Sequence, residues 1–113
     1  MNQGVRSAVD RYNIDNVAQR LWVAGVVPGR DTRKLKVGNQ PNPNPRVLER
    51  KDGDTYDTSW LAAINSGADW VFINSFNDWY QGTQIEPSVS YGITYFHQTS
   101  KWSWQYKTGT ALR

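Results

Sequence analysis

The chain has 113 residues, 38% of them hydrophobic and 13% aromatic, and carries a net charge of +3 from thirteen Lys and Arg against ten Asp and Glu. Such a length holds one small domain at most. With no Cys and a single histidine, His97, there is neither a disulfide framework nor an imidazole or thiolate metal site, so no metal and no cofactor is expected.

Six Trp, six Tyr and three Phe supply more aromatic area than so small a core readily hides, so some of these rings face a partner or a ligand. The basic residues are scattered apart from Arg30, Arg33, Lys34 and Lys36, which is weak support for a nucleic-acid partner. The longest apolar run, residues 21–27, is too short to cross a membrane, and the N-terminal MNQGVRSAVDRYN has no long apolar stretch. No compartment is signalled.

From about residue 3 to residue 20, Val5, Ala8, Val9, Tyr12 and Val17 recur at helical spacing, predicting an amphipathic helix. Residues 21–27, LWVAGVV, are apolar on both faces and closed by Pro28-Gly29, the pattern of a fully buried strand. Residues 28–53 contain the polar run GNQPNPNP and no periodicity, and read as a long loop. A second helix spans residues 54–66, with Asp54 or Thr55 as its cap, Tyr56, Trp60, Leu61 and Ile64 on one face, and Gly67 at its end. Residues 70–73, WVFI, form a second short apolar strand. A polar loop over residues 74–88 follows, then a helix over about residues 90–107, in whose second half Trp102 and Trp104 alternate. Two strands separated by a loop and a helix have the crossover that a parallel sheet requires, so the fold class is α/β.

In α/β sheets, ligands meet the loops after the C-terminal ends of strands, which points to residues 28–36 and 74–88. The second loop gathers Asn74, Asn77, Asp78, Trp79, Tyr80, Gln81, Gln84 and Glu86. Amides and carboxylates beside aromatic rings suit a carbohydrate, whose hydroxyls take planar donors and acceptors and whose C–H faces pack on rings. For Trp79 and Tyr80, stacking on a sugar and packing under the loop are equally consistent with the spacing. Arg30, Asp31 and Arg33 could bind substrate hydroxyls or a phosphorylated sugar, though a solvated charged loop after Pro-Gly is commonplace and is the favoured reading, and His97 is assigned no role.

The run SFNDWYQGTQIEP closely resembles the segment S-F-N-E-W-x-E-G-T-Q-I-E-P of glycoside hydrolase family 99, the endo-α-mannosidases and their relatives. Residues 28–33, PGRDTR, resemble the family's proline-glycine loop, and residues 53–63 its helix pattern of tryptophan followed by alanines, so the resemblance covers residues 22–87. It implies a (β/α)8 barrel of which this chain would be a C-terminal fragment, about the last two strand-helix units, with the earlier strands elsewhere. It implies cleavage of α-mannosidic linkages inside mannose-rich glycans with retention, by two glutamates three residues apart. One acts as base toward the substrate 2-hydroxyl, the other as general acid/base. The first falls on Asp78, one methylene shorter, and the second on Gln81, whose amide delivers no proton.

The expected function is therefore binding of, or action on, α-mannoside-type glycans by a catalytically impaired or incomplete segment. A non-catalytic carbohydrate-binding or scaffold remnant is one alternative, and a single-stranded nucleic-acid binder another. The remaining barrel, or self-association, is expected to cover the unpaired sheet edges.

Overall fold

The computed structural model describes the backbone of residues 2–109 and the side chains of residues 4–109. Helix α1 (Asn2–Asp15) leads to strand β1 (Val23–Val26). Four two-residue strands follow, β2 (Arg30–Asp31), β3 (Lys36–Val37), β4 (Gln40–Pro41) and β5 (Val47–Leu48). A 3-10 turn (Lys51–Gly53) then opens into helix α2 (Asp54–Asn65), strand β6 (Trp70–Ile73) and helix α3 (Thr94–Thr108).

Strands β1 and β6 pair in parallel, with Val23 opposite Trp70 and Val26 opposite Ile73. The ladder continues at both ends, where the Asp69 N–H donates to Trp22 O (2.8 Å) and the Asn74 N–H to Val26 O (2.9 Å). One face of this pair is covered: Ala24 and Val26 are buried with Tyr56, Trp60 and Ala63 of α2, Ile85, and Tyr95 and Trp102 of α3, while Val71 and Ile73 pack against the same cluster. The other face is open, with Trp70 62% and Phe72 65% exposed beside Val23. The full burial expected of residues 21–27 is thus corrected to burial on alternate residues, because helices cover one side of the sheet only. The radius of gyration, 16.6 Å, exceeds the about 13 Å of a compact domain of this length, as a one-sided slab requires.

Helices α2 and α3 are joined by polar links as well as by their rings. Asp57 Oδ1 accepts from Trp102 Nε1 (2.6 Å) and Gln98 Nε2 (3.1 Å). Tyr56 and Thr99 share a hydroxyl hydrogen bond of 2.7 Å, and the Tyr106 hydroxyl donates to Ala68 O (2.6 Å). Helix α1 attaches through Arg6, whose Nη1 donates to Asp69 Oδ2 (2.7 Å), an atom that also accepts from the Trp22 N–H (2.7 Å). Those two donors, the backbone N–H foremost, hold the Asp69 carboxyl below its ordinary range.

Several local features differ from the sequence expectations. The first helix ends at Asp15 rather than residue 20, and the side chains of Asn13, Asn16 and Gln19 instead hydrogen-bond main-chain oxygens of residues 12–20. The expected long loop contains two antiparallel pairs, β2 with β5 and β3 with β4; strands of two residues have no periodicity to read. Neither Asp54 nor Thr55 caps α2: Gly53 stands at the N-cap with φ 100°, and the Thr55 hydroxyl donates to Glu49 O. The last helix begins at Thr94, because residues 88–92 first close a turn in which Ser88 and Gly92 exchange backbone hydrogen bonds.

Candidate functional site

The loop after β6 is organised by its own small polar side chains. After the cis peptide between Asn74 and Ser75, the Ser75 and Thr83 hydroxyls share a hydrogen bond of 2.7 Å, and the Asp78 N–H donates to Ser75 Oγ (3.0 Å). Backbone bonds from Ser75 N to Thr83 O (2.8 Å) and from Glu86 N to Phe76 O (2.9 Å) tie the two arms of the loop together. Thr83, Gln84 and Ile85 are buried, which places the TQI part of the motif under the loop rather than on its surface.

Gly82 is where the sequence permits the loop to touch the β2 segment that follows β1. Its φ is +66°, and a Cβ there would stand 2.9 Å from Asp31 N. The neighbouring Asp31 N–H donates to Gln81 O (2.9 Å). A Gly82→Ala variant is therefore expected to lose more than about 1 kcal/mol in denaturant unfolding, from left-handed strain and the displaced β2 backbone together.

Arg50 is the second anchor. Its Nη2 donates to Gly82 O (3.1 Å) and Gln84 O (2.9 Å), and its guanidinium lies over the rings of Tyr91 (4.3 Å) and Tyr95 (4.5 Å). Its buried Nη1 closes no hydrogen bond of normal geometry. Burial raises the Tyr95 hydroxyl above its ordinary pKa, and the adjacent Arg50 opposes that shift.

The expected site residues fall into three places. Arg30, Asp31, Trp79, Tyr80 and Gln84 line a groove of about 540 Å³ between the β2–β5 ribbon and the loop. Gln81 lines a smaller recess beside it with Arg30 and Thr32. Asn74, Asn77, Asp78 and Glu86 line neither. Asp78 Oδ1 accepts from the Gln81 N–H (3.1 Å), so this carboxylate caps the turn between the two positions. Glu86 Oε2 accepts from Trp79 Nε1 (2.7 Å), which fixes an indole that remains 50% exposed, while Tyr80 is 79% exposed. Sequence reasoning missed Arg50, Tyr91 and Tyr95. Nothing in ERKDG distinguishes Arg50 from its charged neighbours, whereas the four-residue spacing of Tyr91 and Tyr95 was a usable signal.

Asp31 has a strong local partner. Arg33 donates to it through Nη2 (2.8 Å), Nε (3.0 Å) and its backbone N–H (3.0 Å), lowering the Asp31 pKa to about 2. A carboxyl depressed in the folded state contributes stability that is present above its unfolded value and lost as pH falls through the folded one. The contribution therefore disappears between about pH 4 and pH 2. A carboxyl-carbon NMR titration is expected to show the low midpoint for Asp31, and Arg33→Ala to return it toward the ordinary value.

Among the described residues no group of three or more His, Asp or Glu side chains could hold a metal ion, and no helix is long and apolar enough to cross a membrane.

The family described as glycosyl hydrolase family 99 matches residues 9–107. A zebrafish (Danio rerio) glycoprotein endo-alpha-1,2-mannosidase-like protein is 32% identical over 87 residues, 77% of this chain and 17% of its own. A mouse (Mus musculus) glycoprotein endo-alpha-1,2-mannosidase is 32% identical over 69 residues, 61% of this chain and 14% of its own. The chain thus spans about a sixth of the length of such relatives. The structure of the GH99 endo-alpha-mannosidase from Bacteroides thetaiotaomicron superposes with a TM-score of 0.75 at 26% identity, covering 94% of this chain and 32% of that one. The match runs well past the motif-bearing residues 22–87 on both sides, from the second half of α1 to nearly the end of α3, and on it the chain belongs to glycosyl hydrolase family 99.

Proposed function

We propose that this chain forms the last two strand-helix units of a (β/α)8 glycosidase barrel, whose rim loop, residues 74–88, meets a mannose-containing glycan, and that it binds this glycan but hydrolyses it poorly. The observation that carries the reading is the polar, internally braced loop issuing from the C-terminal end of β6, with Asp78 and Gln81 where the family motif has its two glutamates. Barrel ligands bind at that end of the strands. In this reading β1 and β6 are the seventh and eighth strands, and Val23, Trp70 and Phe72 point toward the barrel interior.

The chemistry follows from the two side chains. Asp78 retains a carboxylate able to take a proton from a sugar hydroxyl, once its Oδ1 gives up the Gln81 N–H or its other oxygen is used. The Gln81 amide can donate a hydrogen bond to a glycosidic oxygen but cannot transfer a proton to the departing sugar. Recognition then survives while the protonation step is lost. Trp79 and Tyr80 stack on the sugar, and Asn74, Asn77, Gln84 and Glu86 orient its hydroxyls or hold the loop.

The open sheet face and free strand edges are covered by the remaining barrel or by a second copy. Purified alone, the chain is expected to elute as an oligomer or bind a hydrophobic dye. The functional test is titration with an α-1,2-linked manno-oligosaccharide under nuclear magnetic resonance, with reducing-end release followed in parallel. Shifts at Trp79 and Tyr80 with little release support the reading; no shifts, or rapid release, would defeat it.

A further inference from the structure

The groove between the β2–β5 ribbon and the rim loop is distinct from the Asp78 carboxylate, which does not line it. Its volume of about 540 Å³ accommodates a sugar ring with a substituent. Arg30, Lys34, Arg50 and Lys51 face it, with Trp79 and Tyr80 on its rim. Asp31, Glu49 and Asp52 line it too, but the Asp31 charge is already matched by Arg33 at 2.8 Å. Four cations against two remaining carboxylates leave the groove positive. Among the described residues, the side chains of Arg30, Lys34 and Lys51 have no hydrogen bond or ion pair. An excess of cations around a space bounded by the exposed rings of Trp79 and Tyr80 suits a ligand that is both anionic and ring-shaped.

We propose that this groove binds an anionic sugar, a pyranose carrying a phosphate or a carboxylate, with the ring against Trp79 or Tyr80 and the anion held by Arg30 and Lys34. The proposal rests on the preceding reading only in taking the ring to be a sugar, and does not depend on Asp78 or Gln81.

The test titrates the full chain with mannose 6-phosphate, mannose, inorganic phosphate, glucuronic acid and a short oligothymidylate. Mannose 6-phosphate or glucuronic acid is expected to bind about tenfold tighter than mannose and tighter than inorganic phosphate, and whichever of the two gains identifies the anion. In an Arg30→Ala/Lys34→Ala variant the advantage over mannose should vanish. If that variant fails to fold, 0.5 M KCl on the unaltered chain gives the same readout, weakening the charged sugar and leaving mannose unchanged. Trp79→Ala with Tyr80→Ala should bring the charged sugar down to the level of inorganic phosphate. Equal binding of mannose and its charged counterparts overturns the proposal. So does inorganic phosphate matching the sugar phosphate, or oligothymidylate outcompeting both. Binding of neutral manno-oligosaccharide without an anionic preference would remove this inference and leave the preceding one standing; the converse result would do the opposite.

Discussion

Replacing Gln81 by Glu is expected to raise glycoside cleavage by about 100-fold to 10,000-fold, the range a positioned general acid contributes. The comparison belongs in a complete barrel, obtained by substituting this chain for the 32% of the Bacteroides enzyme that it matches. Backbone geometry favours the substitution, because the Gln81 main chain is held independently of its side chain: its N–H donates to Asp78 Oδ1 and its carbonyl accepts from the Asp31 N–H. Glu and Gln are isosteric, so the recess that the side chain lines need not change. The gain should appear in kcat, with a new basic limb in the pH–rate profile where the introduced acid ionises, and with little change in KM. A second variant, Asp78→Glu, restores the missing methylene and, with the two groups serving one reaction as proposed, should add to the gain only in combination with Gln81→Glu. Were the unaltered chimera to cleave as fast as its Gln81→Glu derivative, the impairment assigned to Gln81 would be wrong.

What the sequence disclosed depended on whether its signal was local. Residues 21–27 and 70–73 announce strands because each is an uninterrupted apolar run rich in β-branched or aromatic residues, and β1 and β6 lie inside those runs. Their one-sided burial was illegible, since WVFI reads the same whether both faces or one are covered, and Trp70 and Phe72 are exposed for want of a second layer. The β2–β5 and β3–β4 pairs left no periodic trace. The motif loop was visible as a concentration of polar residues, yet its division was not. Gln84 is buried while Tyr80 is exposed, and the capping role of Asp78 depends on a turn set by Ser75 and Thr83. Arg50 was hidden for a further reason: its partners, the Gly82 and Gln84 carbonyls and two tyrosine rings, lie more than thirty residues away along the chain.

The core admits an equally sharp test, because Trp60 and Trp102 look alike in burial and differ in bonding. Trp60 on α2 is 2% exposed, edge-on to Tyr56 at 6.2 Å, and seated in the cluster with Ala24 and Val26. Its indole N–H lies by the Tyr56 hydroxyl, which burial raises above its ordinary pKa, without closing a hydrogen bond of normal geometry. Trp102 on α3 is 6% exposed and donates to Asp57 Oδ1 at 2.6 Å. Trp60→Ala is expected to cost about 3–5 kcal/mol, a large share of the about 5–15 kcal/mol that a small domain has in all. Trp60→Phe should leave stability within about 1 kcal/mol of the parent, because the small cavity it opens, worth roughly 1 kcal/mol, is offset by removal of an unsatisfied buried donor. Trp102→Phe opens a similar cavity and also forfeits a hydrogen bond to a carboxylate, for a loss of about 2–4 kcal/mol. Urea midpoints at constant slope measure all three. The decisive comparison is between the two Phe variants: equal losses would mean that the Trp102–Asp57 bond between α2 and α3 contributes nothing beyond packing.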